Sequence, residues 1–297
     1  MHNSMQTRVS ALADRVAEVL LRRQRLDSAT SPATKAALRQ LGLGYRGIVA
    51  RGAPLPPLAD AGFRVFSQFD EDGILHFLLA VAGTGPRRFV DIGAGDGLWA
   101  GNTANLAFNL GFDGLFVEAD EPSIERGRRV YTTHPDTSLY PPRFVRSMVT
   151  RENVNAIVRD AGFSGEVDVL SIDIDGNDYW IWEALEAITP RIVVIESRIE
   201  LGARGVVQPY AADFRWDRSS QPDLLGASPD ALARLGERKG YRLVGANRFG
   251  FNLFFLRDDL APGLLPVVTP ESLLDHPRTR ARMLSDELVA SLPFERR

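Results

Sequence analysis

The sequence predicts an α/β fold in which five buried parallel strands are closed by an antiparallel hairpin, behind an added N-terminal helical segment. From residue 88 onward, short and nearly continuous apolar runs alternate with stretches long enough for a crossover helix, as in parallel strands covered on both faces. The last two runs are separated only by Asn247–Phe251, too short a connection for a crossover and suited to a hairpin. The chain has 297 residues, 44% of them hydrophobic, and no cysteine. A chain of that size buries a sizeable core without disulfides.

In order, the first helix candidate covers about residues 6–26, with Val9, Leu12, Val16, Val19 and Leu20 at helical spacing and Arg8, Arg15, Arg22 and Arg23 mostly elsewhere. Such a basic amphipathic helix lies on a membrane, docks a partner, or covers its own domain or a dimer mate. Asp14 and Glu18 interrupt the charge, which favours the covering role and a homo-oligomer formed through N-terminal helices. A second helix is expected at about 32–41, capped by Ser31, opened by Pro32 and ended by Gly42 and Gly44. Arg51–Pro57 reads as a linker. The parallel strands are Arg88–Gly93, Gly114–Ala119, Arg143–Val149, Asp168–Asp173 and Arg191–Glu196, and the hairpin is Tyr241–Ala246 with Asn252–Arg257. The expected division is a helical extension and linker over 1–60, the α/β domain over 61–262 and a helical tail over 263–297.

Charge and composition exclude several functions. The net charge is −3, but residues 1–51 carry +6 and leave −9 on the remainder, which argues against tracking a nucleic-acid backbone. No run approaches the roughly 18 apolar residues of a membrane span. The N-terminus lacks the apolar core of a secretory signal, so a cytoplasmic address is expected. Without cysteine there is no thiolate metal site, iron–sulfur cluster or thiol nucleophile.

The strongest motif is Asp91-Ile92-Gly93-Ala94-Gly95-Asp96-Gly97, directly after the first strand. Glycines there permit a sharp turn and close approach of a ligand to the backbone, or simply tight packing. A dinucleotide fingerprint counted from Gly93 needs a third glycine at 98, which is Leu98. Glu118 ends the second strand, where an acid accepts hydrogen bonds from ribose hydroxyls.

The Asp-x-Gly-x-Gly-x-Gly spacing resembles motif I of class I S-adenosylmethionine (SAM)-dependent methyltransferases. That resemblance implies a Rossmann-like seven-stranded sheet of order 3-2-1-4-5-7-6, strand 7 antiparallel, with SAM as cofactor. Ser67-Gln68-Phe69-Asp70-Glu71-Asp72-Gly73-Ile74-Leu75 resembles the opening segment of FkbM-type methyltransferases. Gly101-Asn102-Thr103 and Gly111–Glu118 continue in that family's order, so the likeness spans roughly 66–258. It implies cofactor contacts from Gln68, Asp91, Gly93, Gly95, Asp96 and Glu118. The opening segment also reads as a helix N-terminus capped by its own acids, with Gln68 or Asp70 turned to the cofactor.

The fourth strand ends in Asp173, Asp175 and Asp178, and Glu196 ends the fifth. Asp173 and Asp175 share strand parity and so point to one opening. Converging carboxylates repel unless a cation or a shared proton relieves them. The Asp-x-Asp turn resembles that of metal-dependent macrocin-type sugar O-methyltransferases. It implies Mg2+ held by Asp173, Asp175 and Glu196, with Asp173 and Asp175 catalytic and Asp178 a further candidate. The FkbM pattern carries fewer acids, so the two resemblances differ about metal. The other reading makes these acids a cap on a helix at 179–188, with Glu196 paired to an arginine. An EF-hand is excluded because the later ligand spacing is missing. Tyr140-Pro141-Pro142 precedes the third strand and reads as a loop rather than a catalytic box.

Of the histidines, His2 and His276 lie near the termini, His76 in a core stretch and His134 in a surface loop, which leaves a carboxylate or a metal as the base. The long segment Ser197–Asp223, with Tyr210, Phe214, Trp216 and Asp217, either contacts a polyhydroxylated or planar acceptor or anchors itself on the sheet. Together the resemblances imply an O-methyltransferase acting on a hydroxyl of a sugar, glycan or natural product. The competing readings are a non-catalytic binding or assembly protein that keeps the fold, and a metal-dependent enzyme of another class.

Overall fold

The computed structural model describes residues 17–216, 219 and 223–297. Helix α1 covers 17–29, and the remainder of the first helix candidate lies outside the described residues. Val19 and Leu20, expected on a covered face, are exposed. Helix α2 spans Pro32–Ala50, with Ser31 accepting from the Thr34 N–H at 3.1 Å as its N-cap. Gly42 and Gly44 do not end it. A Cβ on Gly42 would stand 3.1 Å from His76 Nε2, so this glycine lets α2 close on α3 (Glu71–Ala82). Contact between the two helices offsets the roughly 1 kcal/mol that glycine costs in a helix.

The main sheet contains β1 (Arg88–Ile92), β2 (Asp113–Glu118), β3 (Arg143–Arg146), β4 (Gly165–Ile172) and β5 (Ile188–Glu196). Two-residue β6 (Val206–Val207) stands outside it, and β7 (Tyr241–Ala246) and β8 (Asn252–Arg257) complete it as the expected hairpin. The order is β3-β2-β1-β4-β5-β8-β7, with β8 antiparallel to both neighbours. Counted within the sheet this is 3-2-1-4-5-7-6, the Rossmann-like methyltransferase arrangement. Strand β3 is shorter than its apolar run, whereas β4 and β5 start earlier because Gly165 pairs with Ile188. That pairing also cuts α7 to Asp178–Ala184, short of the helix expected to reach 188.

Alternate strand residues feed two cores. Val90, Ile92, Leu115, Val117, Leu170 and Ile172 pack with α6 (Val154–Asp160), α7 and α8 (Pro229–Lys239). Phe89, Phe116, Val169, Ile192 and Phe254 pack with α2, α3, α4 (Ala104–Leu110) and α5 (Glu121–Thr133). The tail adds short helices α9 (Pro277–Arg280) and α10 (Asp286–Ser291), then β9 (Glu295–Arg296) on β6. No helix of the described residues is long and apolar enough to cross a membrane.

The acids before β1 hold their own segment together. Buried Asp72 Oδ2 accepts from the backbone N–H groups of Val65, Phe66 and Ser67 at 2.7, 2.6 and 2.8 Å and from Ser67 Oγ at 2.9 Å. Asp72→Ala leaves these buried donors unpaired. Urea denaturation is expected to show a loss of about 2–3 kcal/mol; a loss under about 0.5 kcal/mol would refute this role.

Candidate active site

The carboxyl ends of β1, β2 and β4 open onto a cavity of about 580 Å3. A second cavity of about 440 Å3 lies toward β5, and Gln68, Asp173, Asp175 and Trp216 line both.

The floor of the first is the turn after β1. The Gly93 and Ala94 N–H groups donate to the Val117 carbonyl at 2.9 and 3.2 Å. Gly93 has φ +85°, and a Cβ there would lie 1.7 Å from the Asp173 carbonyl oxygen. The Asp173 N–H in turn donates to Ile92 O at 2.9 Å, so the turns after β1 and β4 meet backbone to backbone. Gly95, at φ +57°, has open space where its Cβ would be, a cradle that any other side chain would fill. Tight packing and ligand approach therefore fall to different glycines of one motif.

Glu118 lines the cavity with its carboxylate fixed: Oε2 accepts from Gly95 N at 2.8 Å, and Oε1 from Ala119 N and Asp120 N at 2.7 and 2.9 Å. Asp91 is 3% exposed and accepts from Thr103 Oγ1 at 2.6 Å. Burial pushes its pKa up to about 6, against hydrogen bonds from Thr103 and Ser171. Asn102, 4% exposed in the same wall, donates from Nδ2 to Ser171 Oγ at 3.1 Å while its Oδ1 has no partner among the described residues. Asn102 and Ser171 were not singled out as site residues. Asn102 stands in the Gly101-Asn102-Thr103 stretch, which carried no role of its own, and the β1–β4 register sets Ser171 beside Asp91.

Asp96 lines neither cavity. Its Oδ1 accepts from Leu98 N and Trp99 N at 3.0 and 3.3 Å, which holds the turn. Asp70 is likewise engaged elsewhere, accepting from Arg248 N at 3.1 Å. Glu71 Oε1 accepts from Asn247 and Asn252 at 2.7 and 3.1 Å. These contacts tie the segment before α3 to the β7–β8 hairpin, while Gln68 lines both cavities and Phe69 the second.

Strand β4 ends at Ile172, and Asp175 sits at φ +54° in the following turn, so strand parity does not relate it to Asp173. Both nevertheless border the two cavities. Asp178 staples its own turn, accepting from Ile174 N and Gly176 N, each at 2.9 Å, in keeping with the capping reading. Asp173 and Glu196 keep part of their surface open to the cavity and are otherwise enclosed by protein. Burial first, and then the neighbouring carboxylates, hold both well above the carboxylate range. Arg198, the arginine nearest in sequence, pairs with Glu200 at 3.4 Å.

Among the described residues no group of three or more His, Cys, Asp or Glu is arranged to hold a metal ion. Asp178, the further ligand candidate, has both carboxylate oxygens engaged by backbone N–H groups, and Asp173, Asp175 and Glu196 are not arranged as a metal-holding group. Burial and the crowding of carboxylates both favour the protonated forms of Asp173 and Glu196, one of the two ways in which converging carboxylates are relieved.

The loop after β5 divides between its two readings. Tyr210 anchors it through Glu152 and the Trp180 ring at 6.1 Å, while Phe214 and Trp216 line the first cavity. Asp217 lies outside the described residues. Arg282 of the tail reaches the second cavity. His76 is a core residue as expected, but His134 is not a free surface group. It caps α5, with its ring 4.9 Å from that of Phe108.

No protein-family model matches the chain, and neither does any curated protein. Among solved structures, the N-terminal domain of EvdMO1 with SAH bound is 15% identical, covers 73% of this chain and 94% of its own, and gives a TM-score of 0.43. Magnesium protoporphyrin IX methyltransferase (ChlM) from Synechocystis PCC 6803 with bound SAM is 13% identical over 63% of this chain and 77% of its own, TM-score 0.39. The glycopeptide N-methyltransferase MtfA complexed with S-adenosyl-L-homocysteine (SAH) is 14% identical over 67% and 93%, TM-score 0.39. Likeness at this level does not assign this chain a reaction.

Proposed function

We propose that this chain is a SAM-dependent methyltransferase that methylates a hydroxyl of a sugar, glycan or natural product. One observation carries the reading: a glycine cradle beside a fixed Glu118 shares a wall with a second cavity lined by Asp173, Asp175 and Glu196. On this reading 61–262 is the transferase unit, 1–60 its helical extension and 263–297 a tail that lends Arg282 to the acceptor cavity.

Glu118 would hold the ribose hydroxyls, Met148 and Val149 would flank the base, and Gln68, Asp91 and the open space at Gly95 would receive the amino-acid end. Bound there, SAM supplies a methyl group on a sulfonium for in-line displacement. Asp173 and Glu196 would orient the acceptor hydroxyl and take its proton. A carboxylate whose pKa is raised by burial and neighbouring acids is a stronger base than an ordinary one when it is ionised. Trp216 and the walls shared by the two cavities would hold donor and acceptor in line and keep water out.

The cofactor's ammonium group would favour ionised Asp91. SAH affinity is therefore expected to be level above pH 6 and to weaken below it, approaching about tenfold per pH unit. The slope should vanish in Asp91→Asn; an unchanged slope in that variant would refute the assignment.

The test of function is incubation with methyl-labelled SAM and fractionated sugars and glycans, with and without EDTA. Label is expected in a hydroxyl-bearing product, undiminished by EDTA. SAH binding without transfer to any fraction would favour a non-catalytic binding protein, and loss of transfer in EDTA would contradict the metal-free base.

A further inference from the structure

The +6 charge of the first 51 residues plays no part in the proposed reaction. The structure gathers part of it around a separate cavity of about 700 Å3. This cavity lies at the amino ends of β1 and β2, the edge of the sheet opposite the candidate active site. Lys35, Arg39, Gly42 and Arg46 recur at i, i+4, i+7 and i+11 on α2 and so share one face. Arg87, from the turn after α3, joins them at φ +56°. Lys35 pairs with Asp136 at 2.5 Å. Arg39, Arg46 and Arg87 have no ion pair and no side-chain hydrogen bond to any described residue.

Beneath these cations the wall is apolar: Leu38, Leu79, Ala80, Phe108 and Phe112. Gly42 lies on α2 between the turns that carry Arg39 and Arg46, with His76 packed against it. His76 is 6% exposed, and its Nε2 has no partner among the described residues.

We propose that this cavity binds a small amphiphilic phosphate, with its phosphate between Arg39, Arg46 and Arg87 and its apolar body against the floor. Three unpaired guanidiniums around one opening repel each other until a multivalent anion joins them, and the guanidinium fork matches phosphate oxygens. The volume is that of a small-molecule site. Its concavity and apolar floor favour an amphiphile over a bare anion. The chain's net charge of −3 makes four cations against one acid around this opening a local feature rather than an average one. The proposal does not depend on the reading of the active site.

Isothermal titration of the full chain with dodecyl phosphate below its micellar concentration tests it, with inorganic phosphate and dodecyl maltoside as companions. The expected result is saturable one-to-one binding of dodecyl phosphate, with inorganic phosphate at least about tenfold weaker and no saturable binding of the maltoside. Arg46→Gln combined with Arg87→Asn, the latter tolerated at positive φ, should weaken binding by at least about tenfold without moving the thermal midpoint. Arg39→Gln alone, on an exposed turn, should weaken it in the same direction. Excess SAH should not displace the ligand. Absence of saturable binding, equal binding of the maltoside, equally tight inorganic phosphate, indifference to the arginine variants, or displacement by SAH would each overturn the proposal.

Discussion

Gly93→Ala is expected to destabilise the fold by about 4 kcal/mol or more and to abolish SAH binding. Two costs act together. The residue has φ +85°, where a Cβ is strained, and that Cβ would lie 1.7 Å from the Asp173 carbonyl oxygen. The obstacle is backbone, held by the Asp173 N–H to Ile92 O bond at 2.9 Å, so no side chain can swing aside. Relief requires the β4 turn to move away, and that turn carries Asp173 and Asp175 into both cavities. Gly95→Ala provides the comparison, because open space surrounds that position. It should cost about 1 kcal/mol of stability and still weaken SAH, since the new methyl group enters the cradle. Thermal unfolding and SAH titration on the pair separate packing from ligand approach. Equal stability losses in the two variants would contradict the division.

Asp173→Asn is expected to lower methyl transfer by about 100-fold or more while leaving SAH affinity within about threefold. The same change should stabilise the folded chain at pH 8. In wild type the pKa values of Asp173 and Glu196 are raised above the unfolded values by burial and mutual repulsion. Their protonated forms are favoured in the folded state, so their contribution is most favourable at low pH and is lost as pH rises through the raised values. Removing one carboxyl removes part of that loss. Urea denaturation at pH 5 and pH 8 should therefore show a smaller decline for the variant than for wild type. A variant that loses transfer, SAH binding and stability together would instead mark Asp173 as a structural residue.

The fold was legible because its signals are local and repeated. The alternation of apolar runs, the short Asn247–Phe251 connection and the Gly93–Gly97 turn each depend on neighbours in sequence. Glycine was the weak point where packing decided the outcome: Gly42 looks like a helix end and is a helix crossing. The acids divide for a related reason. Asp96 and Asp178 satisfy backbone N–H groups of their own turns, the capping reading having anticipated this for Asp178, whereas the reach of Asp70 to Arg248 N is set by the tertiary fold. Parity placed Asp175 beside Asp173 on a strand that ends before either. Ser171 could not be picked out as a partner of Asp91, since only the pairing of β1 with β4 makes them neighbours.

The central claim is that the β1–β2–β4 cavity is a SAM site. Equilibrium titration of the full chain with SAH, alongside NAD+ and on Glu118→Gln, tests it most directly. The account predicts saturable one-to-one SAH binding, weakened about tenfold by the substitution, with no saturable binding of NAD+. Absence of SAH binding together with saturable NAD+ binding would contradict it.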